Sequence, residues 1–289
     1  MSDIAVIGAG KLGTNLAYAL SSKGHRVKAI ADKYHSSAQE CRQFIGQGKV
    51  FDDNDSAARD GQWVILTVPD DAIETVAEEL ASSTIDWPGR FVFHCSGLHT
   101  LEDLDSLEKR GALVASIHPV QSFPQKKPAP TVFQDIFFAL EGNKKALQLA
   151  IGITRQLGAN FFVLEAKNKP LYHTACSMAS NFLATILDAA TELLLKAGLD
   201  ASIVPQMLMP LVQGTLQNVN KFDAGKALTG PVARGDKTSV AKHLEALRQL
   251  PELRDLYSSL AIRSLQIAKR ENHLAEEKIK SLEALLGDE

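Results

Sequence analysis

Cysteine is scarce in this chain. The three present, Cys41, Cys95 and Cys176, lie far apart and form no CxxC pair. That argues against a disulfide framework or a structural zinc site and fits a reducing cytosol. No HExxH or equivalent ligand spacing occurs, so a metal-dependent hydrolase finds no support and no metal is expected. An excess of positive charge is also missing. The formal net charge is -3, which gives no reason to expect nucleic acid or an anionic membrane as a partner. No basic segment precedes an apolar one at the start, where Met1-Ser2-Asp3 leads straight into a strand-like run. A cytoplasmic location is the expectation. A long uncharged apolar run is lacking too. Phe182 to Leu199 comes nearest, but Asp188, Glu192 and Lys196 interrupt it, so it reads as a core helix and not as a membrane span. No repeats or low-complexity segments stand out.

What is present is an ordinary globular composition, 45% hydrophobic and 22% charged over 289 residues. That length suits one large domain or two ordinary ones. The first part alternates. Strand-like runs occur at 4–9, 27–32, 63–69, 90–96, 112–118, 135–142 and 160–166, with a weak one around 49–51. Helical patterns at 13–24, 70–83, 100–111 and 144–158 separate them. This order predicts an α/β domain of Rossmann type, with a largely parallel sheet and helices on both faces. The three prolines of "FPQKKPAPTVF" (123–133) predict an ordered surface loop. After residue 166 the alternation stops. A helix of about 28 residues is expected over 171–198, then others near 201–220, 238–249 and from 252 almost to the end. The expected division is therefore 1–166 as a nucleotide-binding domain and 167–289 as an all-helical one.

Gly8-Ala9-Gly10-Lys11-Leu12-Gly13 is a GxGxxG motif that follows a strand and opens a helix. The first glycine permits a tight turn, the second lets backbone approach a pyrophosphate, and the third lets the helix pack against the sheet. The helix N-terminus offers free N–H groups to phosphates. These five positions other than Ala9 are the expected phosphate-side contacts. Asp32 ends the second strand at the distance from Gly13 where a carboxylate grips the ribose of NAD. Lys33, Ser36 and Ser37 follow and could bind the 2′-phosphate of NADP, so NAD and NADP stay equally open. Val68, Pro69, Ser96 and Gly97 lie on the carboxyl edge of the sheet, where ligands bind in open α/β folds. They are candidate cofactor contacts.

Two polar clusters fall in the second part. Lys169, His173, Ser177 and Asn181 are spaced four apart, which on one continuous helix makes a single stripe. The stripe faces either solvent or a cleft, because a core-facing stripe would be apolar. The second cluster is "LTGPVARGDKTSVAKHL" (228–244), where Arg234 and Asp236 precede a helix. It suits an anionic substrate group, or it is a capped loop with Asp236 or Thr238 as the cap.

With these residues assembled, the chain resembles the Rossmann-like NAD(P)-dependent oxidoreductases whose C-terminal half is a domain of unknown function. "VIGAGKLG", "LTVPDDAI", "HCSGLHTLEDL", "GALVASIHPVQSFP", "FALEG", "YHTACSMASN" and "GPVARGDKTSVAKHL" carry the resemblance. More distantly it is similar to pyrroline-5-carboxylate reductases and the 6-phosphogluconate dehydrogenase-like superfamily. Ser96-Gly97 and His118-Pro119 look like the prephenate dehydrogenase pattern, where such a histidine contacts the oxidised hydroxyl. The loop at 228–238 departs from the reductase pattern, since Ala233-Arg234-Gly235-Asp236 replaces a serine- and double-glycine-rich run. Proline synthesis therefore does not carry over. The resemblance implies the fold, a nicotinamide cofactor and a homodimer built on the helical domain.

The function expected is hydride transfer between NAD(P)(H) and a small, anionic, hydroxy- or imino-type substrate in a cleft between the two domains. His118 or His173 would move the proton, because an imidazole titrates near neutral pH. Lys169 or Asn181 would polarise the C=O or C=N bond. Ser177, Arg234 and Asp236 would bind substrate, Arg234 as the anion anchor. A non-catalytic dinucleotide-binding sensor is the competing expectation.

Overall fold

The computed structural model describes residues 1–126 and 129–287. Lys127 and Pro128, in the loop expected at 123–133, lie outside the described residues. The chain divides into two compact units, Met1–Asn181 and Phe182 onward. This division falls later than residue 166.

The first unit carries β1 (Asp3–Ile7), β2 (Arg26–Ala31), β3 (Lys49–Phe51), β4 (Trp63–Leu66), β5 (Phe91–His94), β6 (Leu113–Pro119), β7 (Phe137–Gly142) and β8 (Asn160–Val163). Its helices are α1 (Lys11–Ser22), α2 (His35–Ile45), α3 (Asn54–Arg59), α4 (Ile73–Ser82), α5 (Asp105–Lys109), α6 (Lys144–Gln156) and α7 (Lys169–Ala179). The strands form one sheet in the order β3-β2-β1-β4-β5-β6-β7-β8. All neighbours are parallel except β6 and β7, which run antiparallel with His118 opposite Ala139. The sheet is apolar on both faces, as helix-covered parallel strands must be. Along β1, Ile4 and Val6 enter one core with Leu16, Phe93 and Phe138, while Ala5 and Ile7 enter the other with Val64, Trp87 and Val92. Strand β6 does not stop at His118: it runs on through Pro119, and Val120 N–H still donates to Phe137 C=O.

The second unit is helical, with α8 (Asn181–Lys196), α9 (Val204–Ala227), α10 (Pro231–Arg234), α11 (Lys237–Ala246), α12 (Pro251–Arg270) and α13 (Glu276–Gly287). Its core lies among α10 to α13, around Val240, Leu265, Ile279 and Leu282. Two expectations change here. The 28-residue helix is two helices, because Ser180 at φ -115°, ψ -69° breaks it. And α8 is not a core helix, since none of its residues is buried within the chain. The stretch Ala166–Lys196 is long and apolar enough to cross a membrane, by length and composition alone. Helix α9 is kinked at Asp223, which sits at φ 67° and caps the following turn by accepting from the Gly225 and Lys226 N–H groups.

Candidate active site

The glycine loop joins β1 to α1 at the carboxyl end of the parallel strands. Gly8 has φ +97°, and a Cβ there would lie 2.5 Å from the Thr67 carbonyl carbon. A Cβ on Gly13 would lie 2.1 Å from the Gly8 carbonyl oxygen. Both glycines are required by close packing of loop, helix and the end of β4. Gly10 differs: a Cβ there would meet nothing within 4 Å. The second glycine therefore faces open space, and no side chain caps the α1 N-terminus behind it. That is the arrangement a pyrophosphate needs, with free N–H groups and no Cβ in the way. The residues present fit a dinucleotide.

Asp32 takes part in building this loop. Its Oδ2 accepts from Ala9 N–H at 2.7 Å and its Oδ1 from Tyr34 N–H at 2.8 Å. Both oxygens are thus engaged by backbone, which ties the glycine loop to the end of β2. Lys33 is exposed beside it. Thr67 adds a second tie, its Oγ1 donating to Gly8 C=O at 2.6 Å. Val68 is half-buried against the core and Pro69 is exposed.

Next along the sheet edge, Ser96 is buried, and its hydroxyl organises the turn after β5. Oγ donates to Asp70 Oδ2 at 2.8 Å and accepts from the Leu98 and His99 N–H groups. Ser96 thereby shapes the loop more than it offers a free hydroxyl. Buried His94 supports the same turn. Its Nε2 lies 3.1 Å from Thr100 C=O and its Nδ1 accepts from Ser96 N–H. These contacts require the neutral Nε2–H form, and burial, with Lys169 nearby, lowers its pKa to about 3.

Gly97 is where two histidines meet. A Cβ on Gly97 would lie 2.9 Å from His118 Cε1 and Nε2, and 2.9 Å from His173 Cδ2. The two rings stand nearly perpendicular, with centroids 6.2 Å apart. His118 comes from β6 and His173 from α7, so both belong to the sheet unit. Burial, His173 and Lys169 together lower the His118 pKa to about 4. The imidazole is neutral at physiological pH. On its other side, Nδ1 is 2.6 Å from Tyr172 Oη.

Lys169 is placed differently from the expectation that it polarises substrate. Its side chain is 2% exposed and its ammonium is 2.9 Å from Glu141 Oε2. It also donates to Ser116 Oγ at 2.8 Å and to His99 C=O. Burial pulls its pKa down while Glu141 pushes it up. A buried amine with three partners is a strut that pins α7 to β6, β7 and the loop after β5. It fixes the helix that carries His173.

Of the remaining predicted residues, Ser177 stands half-buried one turn after His173 on α7. Asn181 begins α8, so it does not continue the α7 stripe. In the helical unit, Asp236 caps α11 by accepting from Ser239 N–H and Oγ. Arg234 is exposed at the end of α10. The structure thus unites His118, His173, Gly97 and Ser96 in one place and assigns Asp236 the capping role. Sequence reasoning missed Tyr172, Cys176, Asp70, His94 and Glu141 as members of the constellation. Two of them carried a usable signal: His94 in "FVFH" and Glu141 in "FFALEG" are titratable groups inside apolar strands.

The geometry defines a dinucleotide-type α/β domain with an imidazole pair at its ligand edge. Residues 2–119 match the Rossmann-like domain family, and residues 136–264 match DUF2520, a domain of unknown function. The chain is therefore a Rossmann-like domain joined to a DUF2520 domain. No curated protein matches it. Among solved structures it is similar to BF3122 from Bacteroides fragilis, provisionally an NADP oxidoreductase. That match has 23% identity and a TM-score of 0.78, over 91% of this chain and 97% of that one. It is also similar to TM1727 from Thermotoga maritima, with 27% identity and a TM-score of 0.67 over 93% and 99%. A 1-pyrroline-5-carboxylate reductase from Streptococcus pyogenes shares 17% identity and a TM-score of 0.61, over 93% and 98%.

Proposed function

We propose that this protein is an NAD(P)(H)-dependent oxidoreductase acting on a small substrate with a C=O or C=N bond, or on the corresponding hydroxyl or amine. The observation that carries this reading is the convergence of His118 and His173 on Gly97, in the unit that holds the open Gly10 cradle. The similar folds of an NADP oxidoreductase and of a reductase that acts on pyrroline-5-carboxylate support it. The nicotinamide supplies the hydride chemistry when bound. The chain supplies the rest. Gly10 and the α1 N-terminus hold phosphate, Asp32 keeps the loop in shape, and His118 handles the proton at Nε2. A neutral imidazole suits that task, since one ring nitrogen carries a proton to give while the other can accept one. Lys169, the buried cation here, is already neutralised by Glu141.

The test is hydride exchange between labelled reduced cofactor and a metabolite pool. His118→Gln should keep nucleotide affinity and lose roughly 10²–10⁴-fold in turnover. Unchanged turnover would remove His118 from the mechanism. Absence of exchange across a broad pool for the native protein would leave a nucleotide-binding sensor.

We also infer that α8 and α9 pack against a second copy of the chain. Phe182, Ile186, Leu195, Met207, Leu211 and Phe222 are large, apolar and exposed on these helices. Asp188, Glu192 and Lys196 are interspersed along α8, and such charges are costly in a lipid interior. They are readily tolerated at the rim of a protein interface.

A further inference from the structure

Tyr172 gives the site a proton polarity. Its hydroxyl lies 2.6 Å from His118 Nδ1, and burial, with the Cys176 thiol one helical turn further on, pushes the phenol pKa up. The ring is held in place by Phe162 of β8, packed edge-on at 5.7 Å and 73°. Two proton arrangements are open to these three groups. In the first, the thiol donates to the phenol oxygen, the phenol donates to Nδ1, and the imidazole proton sits on Nε2. In the second, Nδ1–H donates to the phenol oxygen and the phenol donates to sulfur. A phenol is a good donor and an imidazole nitrogen a good acceptor, whereas thiol sulfur is weak in both roles. The first arrangement pairs strong with strong. The second sends the phenol proton to the poorest acceptor present. Among the described residues, Nε2 has no hydrogen-bond partner in the chain, and it lies against Gly97.

We propose that Tyr172 is a positioning residue that holds His118 as the Nε2–H tautomer, so that the site presents a proton donor and takes substrate through an acceptor atom, a carbonyl oxygen or an imine nitrogen. This rests on the reading that His118 meets substrate, and it matches the resting form of the site to the reductive step. The electron balance is simple. The hydride and both its electrons come from reduced nicotinamide and form the new C–H bond, and the C=O or C=N π pair moves onto the heteroatom. Nε2 gives that heteroatom its proton. Nδ1 takes the phenol proton; once product leaves, Nε2 takes a proton from water and Nδ1 returns its proton to the phenolate, which restores the Nε2–H form.

Long-range proton–nitrogen correlation on the full chain, labelled with ¹⁵N in histidine, reads the tautomer without any substrate. His118 is assigned by its loss in His118→Gln. The expected spectrum at neutral pH has a pyridine-type Nδ1 and a pyrrole-type Nε2. Tyr172→Phe should move both signals toward the averaged values of two exchanging tautomers. Cys176→Ala should leave them in place, because the phenol still donates to Nδ1. A pyrrole-type Nδ1 in the native protein overturns the proposal, and so does an unchanged spectrum in Tyr172→Phe. If Tyr172→Phe fails to fold, the native spectrum still decides between a pyridine-type and a pyrrole-type Nδ1. Full hydride exchange in His118→Gln alongside the expected tautomer would sink the functional reading instead, so the two failures are distinguishable.

Discussion

Gly97 is the residue on which the two imidazoles close. A methyl group there would overlap the near edges of both imidazoles at 2.9 Å, well inside van der Waals contact. Neither ring can retreat freely, since His118 is bonded to Tyr172 and His173 sits on a helix pinned by Lys169. Gly97→Ala should therefore leave nucleotide affinity within a few-fold and cut hydride exchange by about 10²-fold, the usual effect of a small displacement of reacting groups. Nucleotide titration and labelled-hydride exchange on the same sample check it. At this scale much could be read in advance. Gly8, Gly10 and Gly13 are local in sequence, and their spacing states their purpose. Gly97 and His118 could be flagged, but their contact could not. Nothing local shows that two residues on β6 and α7 share one methyl-sized space. The Tyr172 contact was hidden for a related reason, since its partner His118 lies 54 residues earlier in the chain.

At the scale of elements, the Lys169–Glu141 pair decides where α7 belongs. Lys169 is buried and paired, so removing one partner strands a charge in the interior. Lys169→Met should destabilise the sheet unit by roughly 3–5 kcal/mol, and the double variant with Glu141→Leu should regain most of it. Both tryptophans, Trp63 and Trp87, lie in this unit, so urea unfolding followed by their fluorescence reads it. Equal stability of the single and double variants would show that the pair is not a strut. Seven strands were plainly legible, because apolar runs bounded by glycine and polar turns are strong signals, whereas three-residue β3, with none of its residues buried, gave only a weak one. Helix α2 was not, for a physical reason. It buries only Ala38, Cys41 and Ile45, too little apolar surface to stand out in "HSSAQECRQFI". The antiparallel setting of β7 also escaped, since strand direction depends on how the 120–136 connection returns. The break at Ser180 lies within an unbroken helical pattern, where serine and asparagine weaken the helix only slightly.

For the whole molecule, acid and concentration are the informative variables. His94 is buried and neutral, with its pKa lowered to about 3 from 6.5. The unfolded chain therefore binds a proton that the folded one refuses. Stability from this source is full above pH 6.5 and is lost as pH falls toward 3, by roughly 5 kcal/mol in total. His118 adds a smaller loss between pH 6.5 and about 4. Urea midpoints should be flat above pH 6.5 and fall below it; a midpoint that holds steady to pH 4 contradicts the buried neutral state. Concentration addresses the exposed apolar residues of α8 and α9. Sedimentation should find a homodimer, and Ile186→Asp with Leu211→Asp should give a folded monomer. A monomeric native protein that floats with lipid vesicles would show that lipid covers those helices instead.

The helix break at Ser180 has a further consequence, for engineering. Everything that forms the nucleotide cradle and the imidazole pair is encoded before Phe182, and α7 ends at Ala179. The natural crossover point for a chimaera is therefore the Ser180–Asn181 junction. A graft made at residue 166, where the strands run out, would transplant Lys169, Tyr172 and His173 with the wrong parent. One made at 181 would inherit the Lys169 strut and the imidazole pair intact and leave the helical unit free to diverge.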